Sequence, residues 1–449
     1  MKVIVVGAGE VGSYVADRLS SEGHNVAIID IDSSKLKLLS TALDVLTVEG
    51  SGTHLSVLME AGLGDCDLVV AVSNSDEVNL VTSFVAKQNG AKSSIVRIEA
   101  TELRSRAAAG LRAAFAVDMV VDPDYETAER ILDLLDYPGA SEVIVMAHGE
   151  AIVIGASLKW SSPLTGRCIA EILEDYGPDW DFTIGSIIRN EEVILPQGDV
   201  RLLSGDLVRV VCRRRYRRRM VKLLCLDDIT LNSVLLLGGG RTAEILAEQL
   251  AHRGVRVVIV ERNPVRAVEL AELLSDALVI EGDITDADVL EEAEISNFHV
   301  VVALTGEDES NMLACLYAKT VGARETIAVA HKLALLPLLR LAGVDATLSP
   351  RTAIANGVLR LLRGDVTAVA TFLQTKSEVL ELEVAKDGIA DGLTVEELDL
   401  PEDVVLGLIV RDGKSFVASG SSRLRGRDHV VVFAMPESIE ETERKLTCR

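Results

Sequence analysis

Two segments of this chain carry the residue types that hold phosphate. Near the start, KVIVVGAGEVGSYVADRL places Gly7, Gly9 and Gly12 between a branched-aliphatic run and a segment of helical periodicity; about half a chain later, SVLLLGGGRTAEILAEQL places Gly238, Gly240 and Ala243 in the same way. In a G-x-G-x-x-G/A turn the first glycine permits a tight bend after the strand. The second lets the backbone approach a pyrophosphate, and the third lets the helix pack close to the sheet. The helix N-terminus behind the turn offers unpaired N–H groups and a partial positive charge. Asp30 and Glu261 each end the next apolar run, about 20 residues on, where an acidic side chain bonds ribose hydroxyls.

The two turns differ in their surroundings. Asp30-Ile31-Asp32 repels a 2′-phosphate, which favours NAD(H) over NADP(H) and leaves ATP, ADP and AMP open; Glu261 is followed by Arg262, which can reach a phosphate. Arg97 has Val329 as its counterpart in the second half, and Ser51 stands where the second half has Asp283. An arginine at the rim of such a crevice neutralises phosphate charge. The sequence therefore predicts two related sites that differ in ligand or affinity.

Nothing in the pattern supplies bond-making chemistry. The seven histidines are scattered and none recurs between the halves; there is no metal-ligand spacing, nucleophile elbow or P-loop lysine. Asp76/Glu77 and Asp308/Glu309, with Asn79 and Asn311 beside them, read as helix-start capping rather than acid/base pairs. A dinucleotide-dependent oxidoreductase would need a catalytic residue near the turns. The expectation is a nucleotide sensor and not an enzyme.

The elements that must position these residues are duplicated. VEGSGTHLSVLMEAGLGDCDLVVAVSNSDEVNL lies over IEGDITDADVLEEAEISNFHVVVALTGEDESNM, so that Ser73 meets Thr305, Asp76 meets Asp308 and Asn79 meets Asn311. AVDMVVDP lies over GVDATLSP, and GSIIRNEEVILPQGDVRLLSGDLVRVV over GLIVRDGKSFVASGSSRLRGRDHVVVF, with Arg189 on Arg411 and Asp206 on Asp428. Strands alternating with helices imply right-handed crossovers and a parallel sheet. The later segments are short alternating strands broken by Gly and Asp turns. The fold class is α/β: two Rossmann-like, doubly wound parallel-sheet domains at 1–137 and 230–366, each followed by a small β-rich α+β domain, at 138–225 and 367–449. The run RRRYRRRM, Arg213 to Met220, reads as an amphipathic connecting helix with a solvated or acid-paired face.

Composition bounds the rest. The chain has 449 residues, 48% hydrophobic but only 3% aromatic, a branched-aliphatic bias that suits strands buried on both faces. A net charge of −24 argues against nucleic acid as the partner. No apolar stretch reaches the 18 or so residues that cross a bilayer, and Met1 leads straight into a strand, so a cytoplasmic location without a signal peptide is expected. The six cysteines stand alone, as reduced thiols do.

Taken together, GAGEVG with Asp30, AVSNSDEVNL and ALTGEDESNM, LSPRTAIANGVLRLLRGD, PGASEVIVMAHGEAIVIG, LPEDVVLGLIVRDGK and RDHVVVFAMPE resemble the cytosolic subunits of Trk potassium-uptake systems, over essentially the whole chain. Such proteins consist of tandem domains that regulate potassium conductance (RCK domains). The resemblance implies a homotetrameric ring, peripheral on the inner face of the cell membrane, beneath a membrane-embedded, TrkH-like potassium-translocating subunit. It implies NAD(H) and ATP/ADP as ligands that gate potassium flux. By the same resemblance Gly7, Ala8, Gly9, Glu10, Val11, Gly12, Asp30, Ser73, Asn74 and Arg97 hold the first nucleotide, with Ser51 at the position of the second site's acid. Gly238, Gly239, Gly240, Arg241, Thr242, Ala243, Glu261, Asp283, Thr305 and Gly306 hold the second. The same domains also serve other cation transporters, a reading the sequence leaves open.

Overall fold

The computed structural model describes residues 1–104, 108–176, 181–190, 192–196, 198–226, 231–362, 366–371 and 377–448. Thr230, the expected start of the third domain, lies outside them, as does the Arg363–Asp365 end of the LSPRTAIANGVLRLLRGD motif. The first segment runs β1 (Lys2–Val6), α1 (Glu10–Ser21), β2 (Asn25–Asp30), α2 (Ser33–Ala42), β3 (Leu46–Glu49), α3 (Leu55–Glu60), β4 (Leu68–Ala71), α4 (Asp76–Gln88) and β5 (Ser93–Arg97). It closes with α5 (Thr101–Arg104), α6 (Ala109–Ala114), β6 (Met119–Val121) and α7 (Pro123–Leu135). The first small segment is β7 (Glu142–Met146), β8 (Ala151–Ser157), α8 (Ile169–Tyr176), β9 (Phe182–Arg189), β10 (Glu192–Ile194), β11 (Leu207–Arg213) and α9 (Arg217–Leu223).

The second half repeats the order. It has β12 (Ser233–Leu237), α10 (Arg241–His252), β13 (Arg256–Glu261), α11 (Pro264–Leu273), β14 (Ala277–Glu281), α12 (Ala287–Glu292), β15 (Val300–Ala303), α13 (Asp308–Thr320) and β16 (Glu325–Val329). Then come α14 (Leu336–Leu341), β17 (Ala346–Leu348), α15 (Pro350–Leu362), β18 (Val366–Thr371), β19 (Glu378–Glu383), β20 (Val404–Arg411), β21 (Lys414–Val417), β22 (His429–Ala434) and α16 (Pro436–Thr447).

The chain divides into two compact units, residues 1–127 with 349–362, and 128–348 with 363–449. In the first, the sheet order is β3-β2-β1-β4-β5-β6, all parallel. Its central strands are buried on both faces because they read as Val, Ile and Leu without alternation. The order reverses between β1 and β4, and that switch point opens a crevice at the carboxyl ends of the strands. Helix α15, which follows β17 in sequence, packs here against α1 and β6.

The second unit contains the other three sheets. Order β14-β13-β12-β15-β16-β17 repeats the doubly wound topology, again all parallel. From Ala128 onward α7 joins this unit: Ile131 and Leu135 share a core with Leu246 and Leu250 of α10 and with Ile154 and Val208 of the first small sheet. The small sheets, β10-β9-β11-β8-β7 and β18-β19-β22-β20-β21, have antiparallel pairings throughout. They pack on each other through Val153, Val211, Val379, Leu408 and Phe433.

Two features of the small domains follow from the duplication. Arg189 makes a fork with Asp206 at 2.8 Å through both Nε and Nη2, and Arg411 does the same with Asp428 at 2.8 and 2.7 Å. Between the two sheets Arg209 is fully buried, held by Glu142 at 2.6 and 3.0 Å, and donates to Ser377 at 3.3 Å. The arginine run, expected as one connecting helix, is α-helical only from Arg217, because Arg213 still belongs to β11 and Arg214–Tyr216 form a 3-10 turn; its acid-paired face is present. Arg213 and Arg219 both bond Asp181, at 2.6 and 3.0 Å, while Met220 and Leu223 form the buried face of α9.

Candidate functional site

At the first turn, Gly7 has φ +108°, a left-handed value that a side chain resists. A Cβ on Gly12 would lie 1.7 Å from the Gly7 carbonyl oxygen, so α1 can approach the turn only without one. Gly9 is the N-cap of α1 without a side-chain cap, and open space surrounds the position of its missing Cβ. The first N–H groups of α1 therefore face an accessible crevice.

Asp30 does more than end its strand. Its carboxylate accepts from Ala8 N at 2.6 Å and Asp32 N at 2.8 Å, bracing the glycine turn against β2. Ser51 shares a hydrogen bond of 2.8 Å with Thr53 Oγ1. Across the crevice Asn79, fully buried, organises the loop after β4. Its Oδ1 accepts from Ser73 N at 2.9 Å and Ser73 Oγ at 2.7 Å, and its Nδ2 donates to Ser73 O at 2.9 Å and Arg97 O at 3.1 Å. Arg97 pairs with Glu99, with Asn74 Oδ1 3.5 Å from its Nη1.

The acidic pair at the start of α4 is put to a different use from the one its position suggests. Ser75 caps the helix by accepting from Val78 N at 3.2 Å, whereas Asp76 reaches across to accept from Glu99 N at 3.0 Å and Ala100 N at 2.9 Å. In the second unit Asp308 likewise accepts from His331 N at 2.8 Å and Lys332 N at 2.7 Å. These carboxylates fix the loop after the neighbouring strand, beside the crevice.

The second turn repeats the frame with altered contents. Gly238 has φ +108° and Gly240 is open as Gly9 is. Glu261 accepts from Gly239 N and Asn263 N, both at 2.7 Å. Asn311 makes four bonds to Thr305 and Val329 that match those of Asn79. Asp283 accepts from Thr285 N at 2.8 Å and Thr285 Oγ1 at 2.7 Å, bonds that hold its carboxyl below the usual carboxylate range. Arg262 bridges to Glu307 at 2.8 Å, and Arg266 donates to Gly239 O at 3.0 Å.

Gly238, Gly239, Gly240, Glu261, Asp283, Thr305 and Gly306 line one cleft of about 220 Å³, with Arg262 and Glu307 also in its wall. Arg241, Thr242 and Ala243 form the first turn of α10 behind it, Ala243 fully buried. At the first site Ala8 is likewise buried under the turn and Val11 half-buried on α1. Glu10, also on that turn, lies 3.4 Å from Arg351 of α15. Arg351, Asn79 and Asn311 are site components that motif reading did not supply. The recurrence of the asparagine at the same place in each half was the available signal for two of them.

The described residues contain no group of three metal-ligating side chains. Burial pushes the Cys66 thiol up to about 11 and those of Cys212 and Cys315 to about 12, so none of these is a thiolate at neutral pH. No helix among the described residues is long and apolar enough to cross a membrane.

Comparison with known proteins agrees with the duplication. The TrkA-N domain family matches residues 3–135 and 234–350, and the TrkA-C domain family matches 154–224 and 379–447. The Trk system potassium uptake protein TrkA of Halomonas elongata is 30% identical over 99% of this chain and 98% of its own length. A TrkA homolog of Archaeoglobus fulgidus is 32% identical over 99% of both chains. Among solved structures, the GsuK RCK domain superposes with TM-score 0.62 at 17% identity, over 99% of this chain and 94% of its own. The GsuK channel bound to NAD gives 0.62 at 16%, over 99% and 78%.

Proposed function

The chain belongs to the TrkA family of Trk potassium-uptake proteins, and from that premise we propose that it is a nucleotide-sensing subunit that gates potassium flux. The observation that carries the reading is the pair of glycine turns. At each, an uncapped helix N-terminus meets open space, and an acidic side chain already braces the turn. Backbone N–H groups so placed bind phosphate. NAD(H) and ATP or ADP are the ligands proposed. A related channel of the same fold is described as bound to NAD, and another form of it as bound to ADP.

The two sites divide the work by charge. The first has Arg351 beside Glu10 at its turn and Arg97, paired with Glu99, by the loop after β4, and suits the ligand with more phosphate charge, so that ATP and ADP are distinguished there. The second has Glu261 and Asp283 in its wall, with Arg262 paired to Glu307, and suits a dinucleotide whose ribose hydroxyls meet carboxylates. No catalytic step is assigned to either.

Gating is then a population shift. A nucleotide that binds one ring geometry better moves the equilibrium by its differential affinity and no further. The ring is a homotetramer at the cytoplasmic face of a membrane-embedded potassium-translocating subunit. The test is potassium flux through that subunit in vesicles, with this protein and NAD, NADH, ATP or ADP added separately. Flux that responds to a nucleotide, and less so when Gly9 is replaced by Glu, supports the reading; flux indifferent to all four ends it.

A further inference from the structure

The second unit contains a cavity of about 450 Å³ at the amino ends of β15, β16 and β17, the opposite end of the strands from the glycine turn. His299 precedes β15 there, Arg324 precedes β16 and Asp345 precedes β17, while Pro138, Gly139, Leu158, Lys159 and Leu207 close it from the first small domain. Its volume falls within the usual range for small-molecule sites, roughly 300–1,000 Å³.

The duplication shows what is unusual about it. In the first half the residues at the matching strand starts are Asp67 and Lys92, which form an ion pair at 2.6 Å. In the second half His299 replaces the aspartate and Arg324 replaces the lysine, so the cation has lost its carboxylate partner. Arg324 makes no ion pair among the described residues, and neither does Lys159 on the facing wall. The His299 ring is held through Nδ1 by Ser233 Oγ at 3.2 Å. Glu325, buried, accepts from Gly139 N at 3.2 Å and ties the small domain to this end of the sheet. The carboxylates in the same wall are already engaged, Asp345 by Lys319 and by Thr326 N at 2.7 Å and Glu325 by Gly139 N. This leaves Lys159 and Arg324 as the cations of this concavity without an ion pair among the described residues, a local anion site in a chain of net charge −24. Leu158, Leu207, Leu231 and Val344 line the same space and suit an apolar body rather than a bare ion.

We infer that this cavity binds a small organic anion, its phosphate or carboxylate between Lys159 and Arg324 and its apolar part against the leucines. A ligand there contacts both the first small domain and the amino ends of strands in the second nucleotide-binding sheet, so it acts on the junction between them.

The probe is phenyl phosphate, titrated calorimetrically into the full chain. It carries no nucleoside, and the cavity is remote from the glycine turns, so the outcome is separate from that of nucleotide binding. Saturable binding is expected, weakened about tenfold or more in Lys159→Ala/Arg324→Ala, where the charge-assisted bonds are lost. His299→Asp restores the first half's carboxylate beside Arg324 and is expected to weaken binding similarly; Lys92→Ala, the matching position of the first half, should leave it unchanged. Absence of saturable binding, or binding at full strength in the double variant, overturns the inference.

Discussion

Arg351, on the helix that follows the second parallel sheet, lies 3.4 Å from Glu10 on the first turn of α1. The first glycine turn is therefore completed by a residue more than 300 positions away in sequence. Glu10 is an anion close to where phosphate would sit, which is unfavourable unless a cation offsets it. Replacing Arg351 with Ala removes that cation. Affinity of the first site for ATP should fall about five- to tenfold, as for loss of one partly exposed charge contact. The second site should be unaffected. Calorimetry on Arg351→Ala and on the double variant Arg351→Ala/Glu10→Gln separates the effects: the second substitution should restore most of the loss, and no restoration would refute the charge argument.

Asn79 braces the loop beside the proposed first site from a buried position. Its amide makes four hydrogen bonds in a fully buried position. Asn79→Ala leaves the Ser73 and Arg97 carbonyls without these bonds, at a cost of about 2–4 kcal/mol. Hydrogen exchange should accelerate in peptides spanning β4 and β5, with the second unit unchanged. Asn311→Ala should do the reverse, affecting β15 and β16. Uniform acceleration across the chain in either variant would show that the clamp is not local.

Much of this was legible in the sequence because it rests on local rules. The glycine turns, the acidic residues that end β2 and β13, and the parallel sheets announced by unbroken Val and Ile runs all follow from short-range spacing. The matched Arg189/Asp206 and Arg411/Asp428 could be aligned, but only the fold shows that each pair is a fork. What escaped reading depends on contacts distant in sequence. Nothing local in PRTAIANGVLRLL states that α15 packs on α1 and β6, elements more than 200 residues earlier in the chain. The use of Asp76 and Asp308 to hold loops 23 residues on was hidden for the same reason: an acid in the first turn already has a sufficient local explanation.

The third position of each turn offers a direct comparison. A methyl group at Gly12 would overlap the Gly7 carbonyl at 1.7 Å, whereas Ala243 occupies the equivalent place fully buried. Gly12→Ala must displace α1 from the turn and should cost about 3 kcal/mol together with most of the first site's affinity. Ala243→Gly loses a buried methyl and helix propensity, about 1–2 kcal/mol, with binding retained. Denaturant unfolding and calorimetry on both variants check the asymmetry. Equal losses would mean that the two helices approach their turns alike.

Asp133 on α7 provides the pH dependence. Burial raises its pKa to about 6, and the charges of Glu129 and Asp136 add to the shift against the opposing Arg130 and Arg253. In the unfolded chain the same group titrates near 3.8. Between those values the folded protein holds a proton that the unfolded chain has released, so stability falls as pH rises through the interval, and above about 6 the folded state carries the full cost. With screening at this partly exposed position the cost is about 1–2 kcal/mol. Asp133→Asn cannot ionise and should be more stable than the native chain at pH 7, by that amount, with little difference at pH 4. Thermal midpoints of both proteins across pH 4 to 7 should diverge as pH rises and then run parallel. A gap that is constant across the range, or that widens toward acid, would assign the dependence to other groups.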